Sequence, residues 1–351
     1  MKALVLTEYN KFDYLDVPTP TPGTGEVLIK VKACAVCGSD VHGMDGSSGR
    51  RQPPDIMGHE ASGQIEAVGP GVQGWAGGDR VTFDSTVYCN QCDACLAGNV
   101  NLCTNRQVLG VSCDDYRRDG AFADYLVVPA YICYRLPDEV SYVQAAMVEP
   151  LAIAYHAATR TPVKPGMSAV IVGVGTIGLL TLQVVKAMGA GPIIAVDIDD
   201  AKLATALDNG ADAVVNSAGP DALARLLAAT PGGKGVDIAF DATGIEATVD
   251  LCVRSVKLDG SVVLIGNIAQ HIGFPLQWVV TRQISLFGTC ASAGEYNECL
   301  QLIAEGKVDV EALISKSVPL SAGHEWITRV YHREPGLNKI VLLPEAEEVV
   351  A

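Results

Sequence analysis

One short glycine-rich stretch, GVGTIG at residues 173–178, restricts the possible folds more than any other part of the sequence. An apolar run, Ser168–Val172, precedes it, and Thr176–Met188 has the apolar spacing of a helix. Asp197 follows the next apolar run, Pro192–Val196. Such glycines permit a tight turn, the approach of a pyrophosphate to the backbone and close packing of helix on strand, and the acid can bind a ribose. The arrangement predicts a Rossmann dinucleotide site.

The predicted cofactor contacts lie in this stretch and at the acid that follows it. A carboxylate at Asp197 would repel a 2′-phosphate, and the nearest following cation is Lys202 rather than an arginine. NAD is therefore predicted in preference to NADP. A glycine-rich turn in an unrelated α/β sheet is the alternative interpretation. The candidate cofactor-binding residues are Gly173, Gly175, Thr176, Ile177, Gly178 and Asp197.

Strands and helices are predicted to alternate from about residue 167 to residue 287. Apolar strands separated by helices are typical of a parallel sheet covered on both faces. The predicted fold class is therefore α/β, with a doubly wound parallel sheet. The further predicted helices there are Ala201–Asn209 and Ile245–Val256, and the further strands are Val214–Val215, Val236–Phe240, Ser261–Ile265 and Ile284–Phe287.

The first part of the chain is predicted to be rich in β-structure. Short runs such as Glu26–Val31 and Gly63–Val68 alternate with glycine and proline turns. Near the end, Glu295–Glu305 is predicted as a helix and Lys339–Leu343 as a strand that returns to the first domain. The last residues, EAEEVVA, form an acidic tail.

Length and charge narrow the classes of function. A chain of 351 residues with 49% hydrophobic residues is long enough for two domains. A net charge of -15 disfavours binding to nucleic acid or to an anionic membrane surface. The start, MKALVLTEYN, has no apolar signal region, and glycines interrupt the uncharged run at residues 167–185, so a cytoplasmic protein without a membrane span is expected.

A cluster of cysteines has the spacing of a metal site, C-x2-C-x2-C-x7-C. Four thiolates on a short loop suit a closed tetrahedral zinc site, which is structural because no position remains for water or substrate. The spacing matches neither ferredoxin pattern, and the acidic chain disfavours a nucleic-acid-binding zinc ribbon. Unligated thiols are the remaining alternative. The cluster consists of Cys89, Cys92, Cys95 and Cys103.

Other residues of zinc-ligand type are scattered through the chain at Cys37, His59, Glu60 and Glu149. Three protein ligands and an open position make a catalytic zinc site, although spacing along the chain does not show that these residues meet. Cys37 also forms a C-x-x-C pair with Cys34, which raises a redox pair as a second interpretation. Cys34 ends the alternating run Val31–Cys34, however, so it is predicted to be a buried thiol in a strand. A buried thiol and a hydrogen-bonded core histidine are the simplest alternatives.

Taken together, these motifs resemble those of the zinc-dependent medium-chain alcohol/polyol dehydrogenase family. The matching segments occur in the family's order over nearly the whole chain, and their joint occurrence is specific although each alone is modest. They are CGSDVH (37–42), GHE (58–60), CNQCDACLAGNVNLC (89–103), VEP (148–150), GVGTIG (173–178) and Asp197.

The resemblance implies two domains and two zinc ions per chain. A GroES-like catalytic domain would comprise residues 1–155 and 295–351, with the structural zinc loop at 89–103, and a Rossmann domain would comprise 156–294. Cys37 and His59 would bind the catalytic zinc, and Glu60 would be a ligand or lie close behind one. Glu149 stands where alcohol dehydrogenases carry a second cysteine. A glutamate there resembles the sorbitol, galactitol-1-phosphate, threonine and butanediol dehydrogenase branch.

The resemblance also implies a reaction. Ser39 would accept the proton of an alcohol and His42 would pass it to solvent, while hydride goes to NAD. The expected substrate is a secondary alcohol of a polyol, diol or sugar alcohol, either free or phosphorylated. The arginine with which sorbitol dehydrogenases contact substrate is absent from SLFGTCAS, which puts sorbitol itself in doubt. The pairs Arg50-Arg51 and Arg117-Arg118 are candidate anion contacts, with solvated surface charge as the alternative.

Other functions remain open at this stage. They are an enzyme like L-threonine 3-dehydrogenase, a general alcohol dehydrogenase, a zinc-stabilised binding protein without catalysis, and a zinc-free enzyme like the quinone reductases. The family resemblance implies a homo-oligomer, either a dimer or, more often in bacteria, a tetramer. The apolar stretch IGFPLQWVV and the strand ISLFG are candidate subunit contacts.

Overall fold

The computed structural model describes residues 1–345 and divides the chain into two compact units. The first unit contains Met1–Glu149, Tyr296–Ala304 and the segment that starts at Val310, and the second contains Pro150–Glu295 and Glu305–Asp309. Except for Glu345, the predicted acidic tail lies outside the described residues. Within residues 1–345, no helix combines the length and apolar character that a membrane crossing requires.

The second unit is built on a parallel six-stranded sheet, which confirms the predicted α/β class. In spatial order its strands are Ala213–Asn216, Ile193–Asp197, Ala169–Val172, Val236–Asp241, Val256–Leu264 and Ser285–Gly288. The helices that begin or lie in this unit are Val148–Thr159, Thr176–Ala187, Asp200–Asp208, Ala222–Ala229, Glu246–Ser255 and Leu276–Thr281.

The central strand of this sheet, Ala169–Val172, has the burial that is typical of a parallel sheet. All four of its residues are buried, as expected for a strand covered on both faces. It pairs in parallel with a strand on each side, and Val172 lies opposite both Val196 and Asp241. The chain order reverses beside this strand, so the loop after Val172 lies at the switch point where α/β sheets bind ligands.

The first unit contains a seven-stranded sheet made mainly of antiparallel strands. Lys339–Leu343 pairs antiparallel with Glu26–Ala35, which confirms that the last strand returns to the first part of the chain. The strands of this sheet are Glu26–Ala35, Glu60–Val68, Arg80–Phe83, Tyr125–Pro129, Cys133–Arg135, Ile314–Pro319 and Lys339–Leu343. Smaller sheets use Lys2–Glu8, Lys11–Asp16, Asp55–Ile56, Thr86–Val87, Gln107–Val108, Val111–Ser112 and Arg117–Arg118.

The helices of the first unit are short and few. They are Gly38–Gly43, Asp93–Leu96, Tyr142–Ala146, Tyr296–Ala304 and Gly323–Tyr331. The sequence had not predicted Gly323–Tyr331, nor Ala222–Ala229 and Leu276–Thr281 in the second unit. The strand Ile314–Pro319 was also missed.

The unit boundaries differ from the predicted 155/156 division. The helix Val148–Thr159 crosses the division between the units, which falls after Glu149. The short segment Glu305–Asp309 groups with the second unit, where the backbone N–H of Asp309 donates to Gln183 at 2.6 Å. A continuous helix gives no compositional change at the point where the chain passes from one unit to the other.

Cys34 lies in the strand Glu26–Ala35 and has no exposed surface. Its thiol lies 3.8 Å from the carbonyl oxygen of Ala35, and burial raises its pKa well above 9.0. The strand ends at Ala35 and the next helix begins after Cys37, so the two cysteines belong to different elements. Cys34 is therefore a buried strand thiol, as predicted.

Candidate metal centres and dinucleotide site

Cys37, His59 and Glu60 form a group whose potential ligand atoms all lie within 4.8 Å of one another. Strand register explains the meeting, because Ala35 pairs with Glu60 across two antiparallel strands. Cys37 comes two residues after Ala35, and His59 comes one residue before Glu60, so both reach the same end of the strand pair. The imidazole and Glu60 are buried, while Cys37 is half-buried. The group can therefore hold a metal ion and leave one side accessible.

Gly58 allows the backbone conformation that brings His59 to this end of the strand pair. Its φ is +93°, in the region that favours glycine, and a Cβ there would lie 2.5 Å from the Phe122 ring. The N–H of Ala121 donates to the Gly58 carbonyl at 2.8 Å. The glycine of GHE thus has a backbone role, and the next two residues carry the chemistry.

Asp40 lies next to the His59 imidazole. The sequence alone did not predict a chemical role for this residue. It has no exposed surface, and its Oδ1 is 3.4 Å from His59 Nδ1. Its other oxygen accepts from the Cys37 backbone N–H at 3.2 Å, and Arg51 Nη2 donates to Oδ1 at 3.3 Å. Burial raises the pKa of Asp40, but His59, Arg51 and that N–H hold it at about 2. A carboxylate beside one ring nitrogen leaves the other, Nε2, for a metal.

Lys339 forms a buried ion pair with Glu60. The lysine is 4% exposed, and its Nζ also donates to the Val36 carbonyl at 3.0 Å. Burial lowers the pKa of Lys339, but the Glu60 carboxylate raises it, and the net shift is upward. The last strand therefore supplies a cationic partner to Glu60, which is one of the three members of the group. Sequence reasoning missed Lys339 because nothing near it in the chain marks a site.

Glu149 lies outside this group, although it was a predicted ligand. Its Oε1 accepts from Ser85 Oγ at 2.9 Å, while its Oε2 is buried and has no hydrogen-bond partner among the described residues. Burial raises the pKa of Glu149 to about 7, with His59 opposing the shift and Glu60 adding to it. Glu149 is therefore close enough to His59 and Glu60 for their charges to influence it. One of its two carboxyl oxygens has no hydrogen-bond partner among the described residues.

Ser39 and His42 lie three residues apart on the helix Gly38–Gly43, and both are exposed. Residues at this spacing are neighbours on a helix surface. The same helix carries Asp40 on its buried side, and Cys37 is the residue immediately before it. One short helix therefore connects the metal-ligand group to both candidate proton-transfer residues.

The four-cysteine cluster comes together as predicted from its spacing. The Sγ atoms of Cys92 and Cys95 are 3.5 Å apart, and those of Cys89 and Cys95 are 3.9 Å apart. A tetrahedron with bonds of about 2.3 Å has sulfur–sulfur edges of about 3.8 Å, so the cluster fits a zinc ion. Backbone N–H groups of Cys95 and Thr104 lower the pKa of Cys92 to about 6, whereas burial and the neighbouring thiols raise the pKa of Cys95 to about 12.

The glycine-rich stretch opens the helix Thr176–Ala187, which begins after Gly175. A Cβ on Gly178 would lie 1.9 Å from the Gly173 carbonyl oxygen, so Gly178 serves helix–strand packing. A Cβ on Gly175 would meet nothing within 4 Å, so the space beside it is open to a ligand. Asp197 Oδ2 accepts from the Val174 N–H at 2.9 Å and fixes the turn from the neighbouring strand.

The side chains of the two arginine pairs contact protein groups in the structure. Arg51 is buried against Asp40, so it cannot join Arg50 in binding a ligand at the surface. Arg117 donates to the Gln52 carbonyl at 2.9 Å, and Arg118 donates to Gln107 at 2.5 Å. These contacts anchor loops of the first unit.

Comparisons with known proteins identify the family. Residues 23–138 match the model of the alcohol dehydrogenase GroES-like domain, and residues 176–305 match that of the zinc-binding dehydrogenases. Sorbitol dehydrogenase of Bacillus subtilis is 32% identical over 98% of this chain and 97% of its own length. The chain belongs to the zinc-dependent alcohol/polyol dehydrogenase family. The predicted GroES-like and Rossmann folds and an oxidoreductase activity are thereby confirmed.

Further relatives come from fungi and bacteria. D-xylulose reductase A of Aspergillus niger is 33% identical over 89% of this chain and 88% of its own. Galactitol-1-phosphate dehydrogenase of Escherichia coli has a TM-score of 0.91 at 26% identity, covering 98% and 100% of the two chains. An E. coli CFT073 alcohol dehydrogenase complexed with NADH has a TM-score of 0.89 at 29% identity, covering 98% and 99%. A Sinorhizobium meliloti structure bound to NADP has a TM-score of 0.89 at 30% identity, with the same coverage.

Replacing one cluster cysteine tests the four-thiolate site. Cys92→Ser should remove about one metal ion per chain and lower Tm, because folding of such a loop is coupled to its metal. Metal content by mass spectrometry and thermal unfolding measure the two effects. Cys113→Ser is the matched control, since this free thiol lies outside both groups. Unchanged metal content and Tm in Cys92→Ser would contradict a structural site.

Two glycine substitutions separate packing from cofactor binding. Gly178→Ala should lower the free energy of unfolding by about 1–3 kcal/mol, because its Cβ meets backbone. Gly175→Ala should leave unfolding nearly unchanged but weaken dinucleotide binding roughly tenfold or more, because its Cβ enters the space expected for the pyrophosphate. Urea unfolding and calorimetric titration with NAD measure the pair. Equal dinucleotide affinity in Gly175→Ala and the wild type would place the cofactor elsewhere.

Proposed function

We propose that this chain is a zinc-dependent, NAD-linked dehydrogenase that interconverts a secondary alcohol of a polyol, diol or sugar alcohol and the corresponding ketone. The observation that carries the proposal is the close group of Cys37, His59 and Glu60, with Asp40 next to the imidazole. A thiolate, an imidazole and a carboxylate suit zinc, and three protein ligands leave a position for substrate. The named activities of its relatives on sorbitol, D-xylulose and galactitol 1-phosphate support a polyhydroxylated substrate.

A zinc ion held there would act as a Lewis acid that makes a bound hydroxyl more acidic. Cys37 and His59 would hold the zinc whether Glu60 or Glu149 is the third ligand. Glu60 lies in the group but is paired with Lys339, whereas Glu149 lies outside it with an unsatisfied oxygen. Either carboxylate can therefore complete the site, directly or through water. Asp40 Oδ1, which lies 3.4 Å from His59 Nδ1, would favour a proton on that nitrogen and so leave Nε2 for the metal.

Ser39 and His42 supply the path for the proton. The Ser39 hydroxyl would accept the alcohol proton by hydrogen bond, and the imidazole of His42 would pass a proton on to solvent. Both side chains are exposed, as a relay to solvent requires. A bound nicotinamide would supply the hydride acceptor, so the protein's part is to orient the substrate and remove its proton.

The dinucleotide would lie along the turn of residues 173–178, with contacts from Gly173, Gly175, Thr176, Ile177, Gly178 and Asp197. NAD is proposed over NADP because Asp197 is followed by Ile198, Asp199 and Asp200, which offer no positive charge to a 2′-phosphate. The four-cysteine cluster would hold a second zinc in a purely structural role. Clustered thiols of this kind suit a reducing compartment, and a cytoplasmic location is proposed on that ground.

A substrate panel tests the activity. Purified enzyme is assayed with polyols, vicinal diols, sugar-alcohol phosphates, threonine and simple primary alcohols, with NAD and NADP in parallel. We expect activity on polyols or diols and a higher kcat/KM with NAD. Cys37→Ala and His59→Ala should lower kcat/KM by about 1,000-fold or more while NAD still binds, because zinc contributes several kcal/mol to the transition state. Activity confined to primary alcohols, or full activity in both variants, would refute the proposal.

We also propose that the chain forms a homo-oligomer, a dimer or tetramer, through the open edge of the parallel sheet. Ser285–Gly288 is the edge strand and pairs on one side only within the described residues. Exposed apolar side chains lie on it and near it, with Leu276 64%, Val280 68% and Leu286 37% exposed. Apolar side chains beside unpaired strand edges favour association with another chain.

Substitution of the edge strand tests the oligomer. Leu286→Lys should shift the mass in solution toward the monomer, because it places a charge within the apolar surface. Sedimentation equilibrium measures that mass. Leu207→Lys is the control, since Leu207 is also exposed but lies on the helix Asp200–Asp208. An unchanged assembly in Leu286→Lys would place the interface elsewhere.

A further inference from the structure

Arg51 is a buried arginine that the proposed chemistry does not use. It is 4% exposed, its Nη2 donates to Asp40 Oδ1 at 3.3 Å, and its Nη1 donates to the Arg50 carbonyl at 3.2 Å. Its Nε is buried without a hydrogen-bond partner among the described residues. Burying an arginine is costly unless its charge is paired, so the position of this guanidinium calls for a physical reason.

Arg51 and His59 both lie next to the same carboxylate oxygen of Asp40. Asp40 Oδ1 lies 3.4 Å from His59 Nδ1 and accepts from Arg51, while Oδ2 accepts from the Cys37 N–H. With each oxygen held, the carboxylate cannot rotate without breaking a contact. The guanidinium therefore fixes the plane in which Asp40 faces the imidazole, and a ligand imidazole is oriented by the partner of its second nitrogen.

The stem of Arg51 packs against the helix that carries Ser39 and His42. A Cβ added to Gly43, the last residue of that helix, would lie 2.5 Å from Arg51 Cγ. Gly43 thus leaves room for the stem, and the arginine spans from the end of the helix to the carboxylate inside it. Any displacement of the stem would be transmitted to Asp40.

The loop that carries Arg51 is anchored from the other side. Arg51 forms an isolated bridge with Ser112, and the Gln52 N–H donates to the Ser112 carbonyl at 2.9 Å. Ser112 Oγ donates to Asp55 at 2.6 Å, and Asp55 is a buried carboxyl whose pKa burial raises to about 6 while Arg51 opposes the shift. Arg51 therefore lies in the field of two buried carboxyl groups, on a backbone held by hydrogen bonds.

We propose that Arg51 is a positioning residue for the catalytic metal, which acts by locking Asp40 against His59 Nδ1. The inference rests on the proposed function, because it requires a metal at Cys37, His59 and Glu60. Groups that orient metal-binding histidines typically contribute 10–100-fold to metal affinity or activity. The planar fork of arginine suits this task better than a lysine ammonium, since two of its nitrogens already donate to separate acceptors.

The test measures metal binding as well as activity. Arg51→Met keeps the length of the stem and removes the charge, Arg51→Lys keeps the charge, and Gly43→Ala displaces the stem without changing any charge. Arg50→Met is the matched control, because Arg50 is exposed and its Nη2 donates to Tyr116 Oη at 3.4 Å rather than to Asp40. Zinc affinity is measured by chelator competition, and the zinc retained by Cys37→Ala identifies the structural ion.

We expect Arg51→Met to weaken the catalytic metal site 10–100-fold while the structural ion is retained. Gly43→Ala should shift the same affinity in the same direction, Arg51→Lys should lie between Arg51→Met and the wild type, and Arg50→Met should match the wild type. With metal held at saturation, Arg51→Met should lower kcat more than it raises KM. Wild-type metal affinity in both Arg51→Met and Gly43→Ala would overturn the inference, as would equal loss of both ions in all Arg51 and Gly43 variants. A wild-type chain that binds no metal beyond the structural ion would instead refute the proposed function.

Discussion

The antiparallel pairing of Glu26–Ala35 with Glu60–Val68, with Ala35 opposite Glu60, determines the candidate catalytic site. Cys37 and His59 reach one end of this strand pair because each lies one or two residues beyond the paired positions. The last strand adds to the same edge, with Val341 opposite Ala35, and brings Lys339 to Glu60. A slip of one residue in this register would turn Glu60 to the other face of the sheet. Backbone hydrogen bonds between these strands therefore bring the ligands together.

Charge balance explains why so many ionised groups can be buried around this point. Asp40 is paired with Arg51, and Glu60 is paired with Lys339. An unpaired buried charge costs several kcal/mol, so each carboxylate requires its cation for the protein to fold stably. Among the described residues Glu149 takes part in no ion pair, and burial raises its pKa to about 7. Of the three carboxyl groups around this point, Asp40 and Glu60 each have a cationic partner, and Glu149 has none among the ion pairs of the described residues.

The sequence predicted those features that depend on neighbours along the chain. The alternation around Cys34 indicated a buried strand thiol, and the turn of residues 173–178 indicated a helix that begins at Thr176. Asp40 and Arg51 acquire their roles only through the fold. Local composition around Arg51 suggested solvated charge, yet the arginine is buried because its loop pairs with Ser112, far along the chain. The role of Lys339 could not be predicted for the same reason, because its partner Glu60 lies in a strand near the start of the chain.

The two metal-ligand groups differ in how they are assembled. The difference follows from whether the protein ligands close the metal site or leave a position open. All four cysteines of the cluster come from one loop, so their spacing alone predicts the group, and four protein ligands close it to substrate. The group of Cys37, His59 and Glu60 draws on two strands and a helix start, with Lys339 and Arg51 holding it from further segments. A site with an open position cannot surround its metal with protein ligands. Its geometry must therefore be held by contacts behind the ligands, which only the folded chain supplies.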